Sequence, residues 1–153
     1  MADVHSPGER SRNMASISGR DTAPEIAVRR LVRSLGVGYR LHARDLPGRP
    51  DLVFRGRRSV IFVHGCFWHR HDGCRFTSTP RPRSAFWSEK FRKNVERDQR
   101  NLRELEASQW KVLVIWECEI HNKEEMRNRI TTFLGIGVIP VSVRARGVIS
   151  RCR

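Results

Sequence analysis

A chain of 153 residues with 30 lysines and arginines against 16 acidic residues has a formal net charge of +14, which favours a polyanionic partner because each neutralised phosphate releases counterions. With 39% hydrophobic and 30% charged residues it is long and apolar enough to bury one core, which excludes a disordered chain. Its apolar runs reach only about five residues, far too short to cross a bilayer, and the polar opening MADVHSPGERSRNM lacks the apolar centre of a secretory signal, so no membrane is expected and the cytoplasm is the expected compartment.

In chain order, residues 1–20 read as a flexible basic arm with Met14 and Ile17 as its main large apolar side chains. Thr22-Ala23-Pro24-Glu25 has the form of a capping box with proline at the first helical position. Ala27, Val28, Leu31, Val32 and Leu35 then recur at helical spacing and Gly36 supplies a stop. Tyr39 to Arg44 alternates weakly, as an edge strand does, and Leu46 to Pro50 is a turn. Asp51 to Phe54 and Val60 to Val63 are short strands joined by Arg55-Gly-Arg-Arg58, a hairpin by spacing. Folding it back places Asp51 opposite residues 62–64. A basic loop follows at 75–83, then a long helix from about Ser84 to Ser108. Trp87, Phe91, Val95, Leu102 and Leu105 mark its buried stripe. Asp98 falls in the same stripe and needs a partner there. Val112 to Trp116 is a buried-type strand, followed by a helix from about Lys123 to Leu134 and a strand near 139–143. The expected division is an arm at 1–20, one α/β domain at 21–143 with helices on the faces of its sheet, and a basic tail at 144–153.

The chemistry concentrates in VIFVHGCFWHRHDGC at 60–74. Cys66, His71 and Cys74 are spaced to wrap one tetrahedral ion, with Cys118 as the fourth donor if the strand at 112–116 lies beside that at 60–63. Three thiolates and one imidazole form a closed set that suits structural zinc. His69 and His64 compete with His71 for the imidazole position, and Cys152 is left over. The histidines outside the zinc set, together with Asp51 and Asp98, make a polar cluster of the kind hydrolysis of a phosphodiester needs: a carboxylate for Mg²⁺ and an imidazole, oriented by a carboxylate, to move a proton. An Asp98–His69 bond also accounts for an acid in an apolar stripe. Phe67 and Trp68 either cover the core or stand out to stack on or wedge between bases. Lys90, Asn94, Arg97 and Asn101 form a polar stripe that is either solvated or set along phosphates. Glu25 has capping as its ordinary role.

RSRNM at 10–14, RDTAPE at 20–25, LPGRPD at 46–51, VIFVHGCFWH at 60–69, FW with K..NVERD at 86–98 and W.VLVIWEC at 110–118 resemble the Vsr family, the very-short-patch repair endonucleases. The resemblance implies a variant of the restriction-endonuclease fold of the PD-(D/E)xK class, in which histidine chemistry replaces the usual lysine. It implies Mg²⁺-dependent nicking of one DNA strand on the 5′ side of the thymine in a T:G mismatch, the product of 5-methylcytosine deamination. By motif, Asp51 is the Mg²⁺ carboxylate and the main-chain carbonyl of Val63, a position filled by Thr in some members, a second ligand. His69 is the proton-transfer group with Asp98 orienting it. His64, Asp in many relatives, belongs to the catalytic set, and Glu25 meets the metal's water shell rather than acting only as a cap. Cys66, His71, Cys74 and Cys118 hold zinc. Phe67, Trp68 and Trp87 form an aromatic wedge beside the mismatch, Met14 enters from the other groove, and Lys90 and Asn94 lie along the DNA. A monomer is expected, since a nick needs one active site, with other repair proteins acting afterwards at the nucleoid. The competing readings are a zinc-stabilised DNA-binding protein without catalysis and a restriction-type endonuclease that cuts both strands.

Overall fold

Ser59–His64 is buried along its whole length and forms the heart of a four-stranded mixed sheet. The computed structural model describes residues 20–137, so the arm with Met14, the strand near 139–143, the tail and Cys152 lie outside the described residues. The strands are β1 (Arg40–Leu41), β2 (Leu52–Phe54), β3 (Ser59–His64) and β4 (Lys111–Trp116), in the spatial order β1-β2-β3-β4. β2 and β3 make the expected hairpin, Leu52 facing Ile61 and Phe54 facing Ser59. A single 3-10 turn at Arg55–Arg57 closes it, with Arg58 in the left-handed region at φ 46°. β4 lies parallel to β3, with Val63 opposite Ile115 and His64 opposite Trp116.

A parallel pair requires a long crossover. Here the crossover contains α2 (Cys66–His69) and the 24-residue α3 (Ser84–Ala107). α1 (Ala23–Ser34) precedes the sheet and α4 (Lys123–Leu134) follows it. Side chains alternate across a strand, and both faces of β3 are apolar, so both must be covered. Ile61 and Val63 pack with Val28 and Val32 of α1, Ile115 of β4, and Met126, Ile130 and Leu134 of α4. Val60 and Phe62 face the other way, against Leu105 and Leu102 of α3. The result is three layers, with α1 and α4 on one face and α3 on the other. Full burial of side chains such as Ile61, Ile115 and Leu105 contributes roughly 1.5–3 kcal/mol each.

Two expectations are corrected. The Tyr39–Arg44 strand shortens to the two residues of β1. Residues 66–69, read as open loop, form a helical turn: His69 N–H donates to Gly65 O (3.1 Å) and His71 N–H to Cys66 O (3.1 Å), with Arg70 left-handed at φ 55°. That turn matters because successive side chains on a helix diverge by about 100°. Four consecutive residues can thus be sent to three different places.

The Leu46–Pro50 turn is fixed against α3 by Gly48. Its φ is +74°, and a Cβ there would stand 2.9 Å from the Asn101 amide nitrogen. Strain and steric overlap both reserve the position for glycine. The turn in turn sets where Asp51 enters β2.

Candidate active site

At the end of β3 the sheet opens into a cleft of about 1380 Å³. Its floor carries Glu25, His42, Asp51, His64, His69 and Asp98, and arginines at 20, 44, 49, 97 and 100 stand around it. The hairpin brings Asp51 where the strand spacing predicts: its Oδ2 accepts from the Val63 N–H at 2.7 Å. Burial pushes the Asp51 carboxyl up to about 6, against the Val63 N–H, with the neighbouring Glu25 charge adding to the rise. A desolvated carboxylate crowded by a second one is a group whose ionised form a divalent cation would stabilise. The residues present therefore fit a Mg²⁺ ion, with Val63 of the same cleft beside Asp51.

Glu25 is 4% exposed. The capping form TAPE is realised with a shift. Thr22 Oγ1 accepts from the Glu25 N–H at 3.5 Å, but Glu25 Oε2 reaches back to the Asp21 N–H (3.0 Å) rather than to that of Thr22. One carboxylate thus caps α1 and still lines the cleft, so the two roles weighed for it are compatible.

His69 and Asp98 meet, Nδ1 to Oδ2 at 2.5 Å, across the gap between α2 and α3. The acid in the α3 stripe has its partner. A carboxylate accepts only, so Nδ1 carries the proton and Nε2 is left to accept. The His64 ring stacks on that of His69, centroids 3.9 Å apart and 6° from parallel. Burial, with the His69 charge next, pushes His64 down to about 3, so it is a neutral imidazole throughout the ordinary working range. 

The first turn past β3 sends Cys66 the other way. The ligating atoms of Cys66, His71, Cys74 and Cys118 all lie within 4.8 Å of one another. His71 Nδ1 stands 3.3 Å from Cys118 Sγ and 3.7 Å from Cys66 Sγ. A tetrahedral zinc with bonds near 2.0–2.3 Å places its sulfur and nitrogen donors roughly 3.6 Å apart, so the set fits. Burial raises the Cys66 thiol to about 11; metal binding there would release protons. Of the competing imidazoles, His71 is the one among the cysteines, and its ring stacks on Trp116 at 4.3 Å. Trp116 meets the edge of His64 at 5.2 Å.

Phe67 and Trp68 do not stand free. Phe67 packs edge-on against Phe91 (5.1 Å) and Trp87 (6.1 Å), and Trp68 lies 6.2 Å from Trp87. Both rings are half-buried on α3, because the turn at 66–69 lays them down on it. Lys90 Nζ sits 5.3 Å from the Trp68 ring and 5.5 Å from that of Trp87. Asn94 donates to Trp68 O at 3.3 Å. Arg70 covers Phe91 at 4.2 Å and donates to Thr77 O (2.6 Å). The aromatic group is thus a braced platform with Phe86, 46% exposed, at its outer side.

Two residues at the site were not singled out by sequence reasoning. His42 N–H donates to Asp51 O (3.4 Å), and its ring stands between Glu25 and Asp51, 3.8 Å from each. Arg29 Nη2 donates to Glu25 Oε2 at 3.0 Å. Arg29 was findable, as the i+4 partner of Glu25 on a helix. His42 had no such signal, since only the β1–β2 pairing brings it in.

Carboxylates and imidazoles gathered in a cleft lined by five arginines are the groups that hydrolysis of a polyanion requires. The description "DNA mismatch endonuclease Vsr" matches residues 2–75. The chain is 46% identical over 134 residues to the type II nicking enzyme V.XorIIP of Xanthomonas oryzae, covering 88% of this chain and 98% of that one. It is 45% identical over 132 residues to the DNA mismatch endonuclease Vsr of Escherichia coli, 86% and 84% of the two chains. To the type II nicking enzyme V.NmeAIP of Neisseria meningitidis it is 40% identical over 130 residues, 85% and 92%. The chain belongs to the Vsr family of DNA mismatch endonucleases. It is an enzyme that hydrolyses phosphodiester bonds in DNA. No helix among the described residues is long and apolar enough to cross a membrane.

Proposed function

We propose that this protein is a Mg²⁺-dependent, strand-specific nicking endonuclease that recognises T:G mismatches left by deaminated 5-methylcytosine and cuts 5′ of the thymine, starting very-short-patch repair. The observation that carries it is the half-buried Asp51 carboxylate standing in one basic cleft with the His69–Asp98 pair. The fold is the restriction-endonuclease type without its lysine, residues 21–143 forming one domain between the arm at 1–20 and the tail at 144–153. It works as a monomer on duplex DNA in the cytoplasm, at the nucleoid, before other repair proteins.

Mg²⁺ held by Asp51 and the Val63 carbonyl would polarise the scissile phosphate and acidify the attacking water. Nε2 of His69 takes a proton, Asp98 holding the ring by Nδ1 in the tautomer that leaves Nε2 accepting. His64, neutral and stacked on His69, keeps that ring from rotating and adds no charge to compete for the proton. Glu25 would order water around a cation held at Asp51. Cys66, His71, Cys74 and Cys118 would hold zinc, which would fix the turn so that Phe67, Trp68 and Trp87 wedge beside the mismatch while Met14 enters from the opposite groove. Lys90 and Asn94 follow the backbone.

The deciding experiment offers T:G and matched duplexes in Mg²⁺ with each strand labelled in turn. The expected result is one nick, 5′ of the mismatched thymine, on the mismatched duplex alone. Cutting of both strands would point to a restriction-type enzyme, and tight binding with no product to a zinc-stabilised DNA-binding protein.

Asp98→Asn tests the orienting role. The amide can present its NH₂ to Nδ1, which then accepts and leaves the proton on Nε2, the wrong tautomer. Single-turnover nicking should slow roughly 10²–10⁴-fold with duplex affinity unchanged. A slowing under about threefold would remove Asp98 from the mechanism.

A further inference from the structure

His42 stands between two acids of the cleft floor. Its Nε2 lies 3.8 Å from Glu25 Oε2 and its Nδ1 3.8 Å from Asp51 Oδ1. The main chain brings it there. Its N–H donates to Asp51 O at 3.4 Å, just past the pairing of Leu41 with Leu52. Its φ of 46° is left-handed, a conformation uncommon outside glycine that persists where the surrounding structure imposes it and gathers at functional sites.

The ring's proton has one possible place. Arg29 Nη2 lies 3.0 Å from His42 Nε2 and 3.0 Å from Glu25 Oε2, and its Nη1 donates to Asp21 Oδ1 at 2.6 Å. A guanidinium is always charged and donates only. His42 Nε2 must therefore accept, and the proton sits on Nδ1, on the side of Asp51. The Arg29 side chain is 13% exposed and three acceptors hold its end, so the donor is fixed in place. Asp51 Oδ2 already accepts from the Val63 N–H at 2.7 Å, so each of its oxygens faces a donor of its own. The 3.8 Å from the ring to Oδ1 is longer than a hydrogen bond, and catalytic contacts of this kind tighten when substrate binds.

We infer that His42 is a positioning residue for Asp51: fixed by Arg29 with its proton on Nδ1, the ring donates to Asp51 Oδ1 and sets the plane of that carboxylate. The inference rests on the reading of Asp51 as the Mg²⁺ carboxylate. A carboxylate oxygen has two lone pairs, so both oxygens keep one for cations, whatever the number of ions bound.

Two measurements test it. The first is the histidine-ring ¹⁵N–¹H NMR spectrum of the full-length, zinc-loaded, Mg²⁺-free protein, with the His42 signals identified by their loss in His42→Asn. Wild type should show a protonated Nδ1 and a bare Nε2, and in Arg29→Met a proton should appear on Nε2. A proton on Nε2 in wild type overturns the inference whatever the variants do in catalysis, and a spectrum unchanged in Arg29→Met overturns the part given to Arg29. The second is single-turnover nicking of the T:G duplex at saturating Mg²⁺, with circular dichroism to confirm folding. His42→Ala should be roughly 10–10²-fold slower than wild type. His42→Asn, whose amide nitrogen stands where Nδ1 does, should recover to within about threefold of wild type. His42→Gln, whose amide reaches the place of Nε2 instead, should stay as slow as His42→Ala. A side chain that merely filled space would be replaced at least as well by glutamine as by asparagine. Equal rates for those two variants overturn the inference. An Asp51→Ala variant that nicks at the wild-type rate refutes the metal reading of Asp51 and the inference with it, whereas an inactive Asp51→Ala beside a fast His42→Ala refutes the inference alone.

Discussion

Asp51→Asn is expected to abolish nicking, by roughly 10³-fold or more, and at the same time to make the metal-free active site a more stable fold. The two effects have one origin. Asp51 titrates near 6 because burial penalises its charged form, while in the unfolded chain it titrates near 3.9. Folded protein therefore holds this proton more tightly than unfolded protein does. The resulting stability is fully present below the unfolded value and is lost as the pH rises through about 6. At pH 7.5, without added Mg²⁺, the ionised carboxylate weakens the fold, and an amide that still accepts from the Val63 N–H removes that penalty. The gain should be on the order of 1–2 kcal/mol, read as a higher melting temperature. The gap between variant and wild type should close as the pH is lowered toward 4. Equal melting temperatures at pH 7.5, or a gap that widens on acidification, would mean that Asp51 is not a desolvated carboxylate. Residual nicking within about tenfold of wild type would remove it from metal binding.

The second large effect is expected at Cys118. This residue lies just past β4, whereas its three companions follow β3, so a zinc ion would tie together the ends of two parallel strands that are far apart in sequence. Such ties supply folding free energy directly. Cys118→Ala should lower zinc content from about one per chain to near zero by elemental analysis. It should lower stability by several kcal/mol, which for a domain of this size means a fall in melting temperature of more than about 10 °C. Discrimination between T:G and matched duplexes should fail before nicking does, because Phe67 and Trp68 ride on the turn that a zinc ion there would secure. A variant that keeps its zinc and melts within a few degrees of wild type would show that the thiol only packs.

Much of this was legible from residue order. The hairpin spacing placed Asp51 against the end of β3, and the helical stripe that caught Asp98 announced a carboxylate in need of a partner. The motif around Cys66 and Cys74 proposed its donors, and the β3–β4 pairing delivered Cys118 to them. What resisted reading has physical causes. Periodicity reports which face of an element is apolar, not which neighbour covers it, so the braced packing of Phe67 and Trp68 on α3 was out of reach. A four-residue turn such as α2 is too short to leave a periodic signal. His42 reaches the site only through the two-residue pairing of β1 with β2, a contact of tertiary structure with no local trace. The Glu25 motif reads as a cap or as a catalyst, whereas in the fold its Oε2 accepts from the Asp21 N–H and from Arg29 while the residue lines the cleft.

Four aromatic rings in contact run from the cysteine cluster to the catalytic cleft. His71 stacks on Trp116, Trp116 meets His64 edge to face, and His64 stacks on His69, with successive centroids 4.3, 5.2 and 3.9 Å apart. One end lies among the cysteines and the other on the carboxylate of Asp98. Close-packed rings transmit displacement rather than absorb it. These contacts join the Cys66, His71, Cys74 and Cys118 cluster to the His69–Asp98 pair. A displacement at the cysteine end is therefore expected to reach the His69–Asp98 pair.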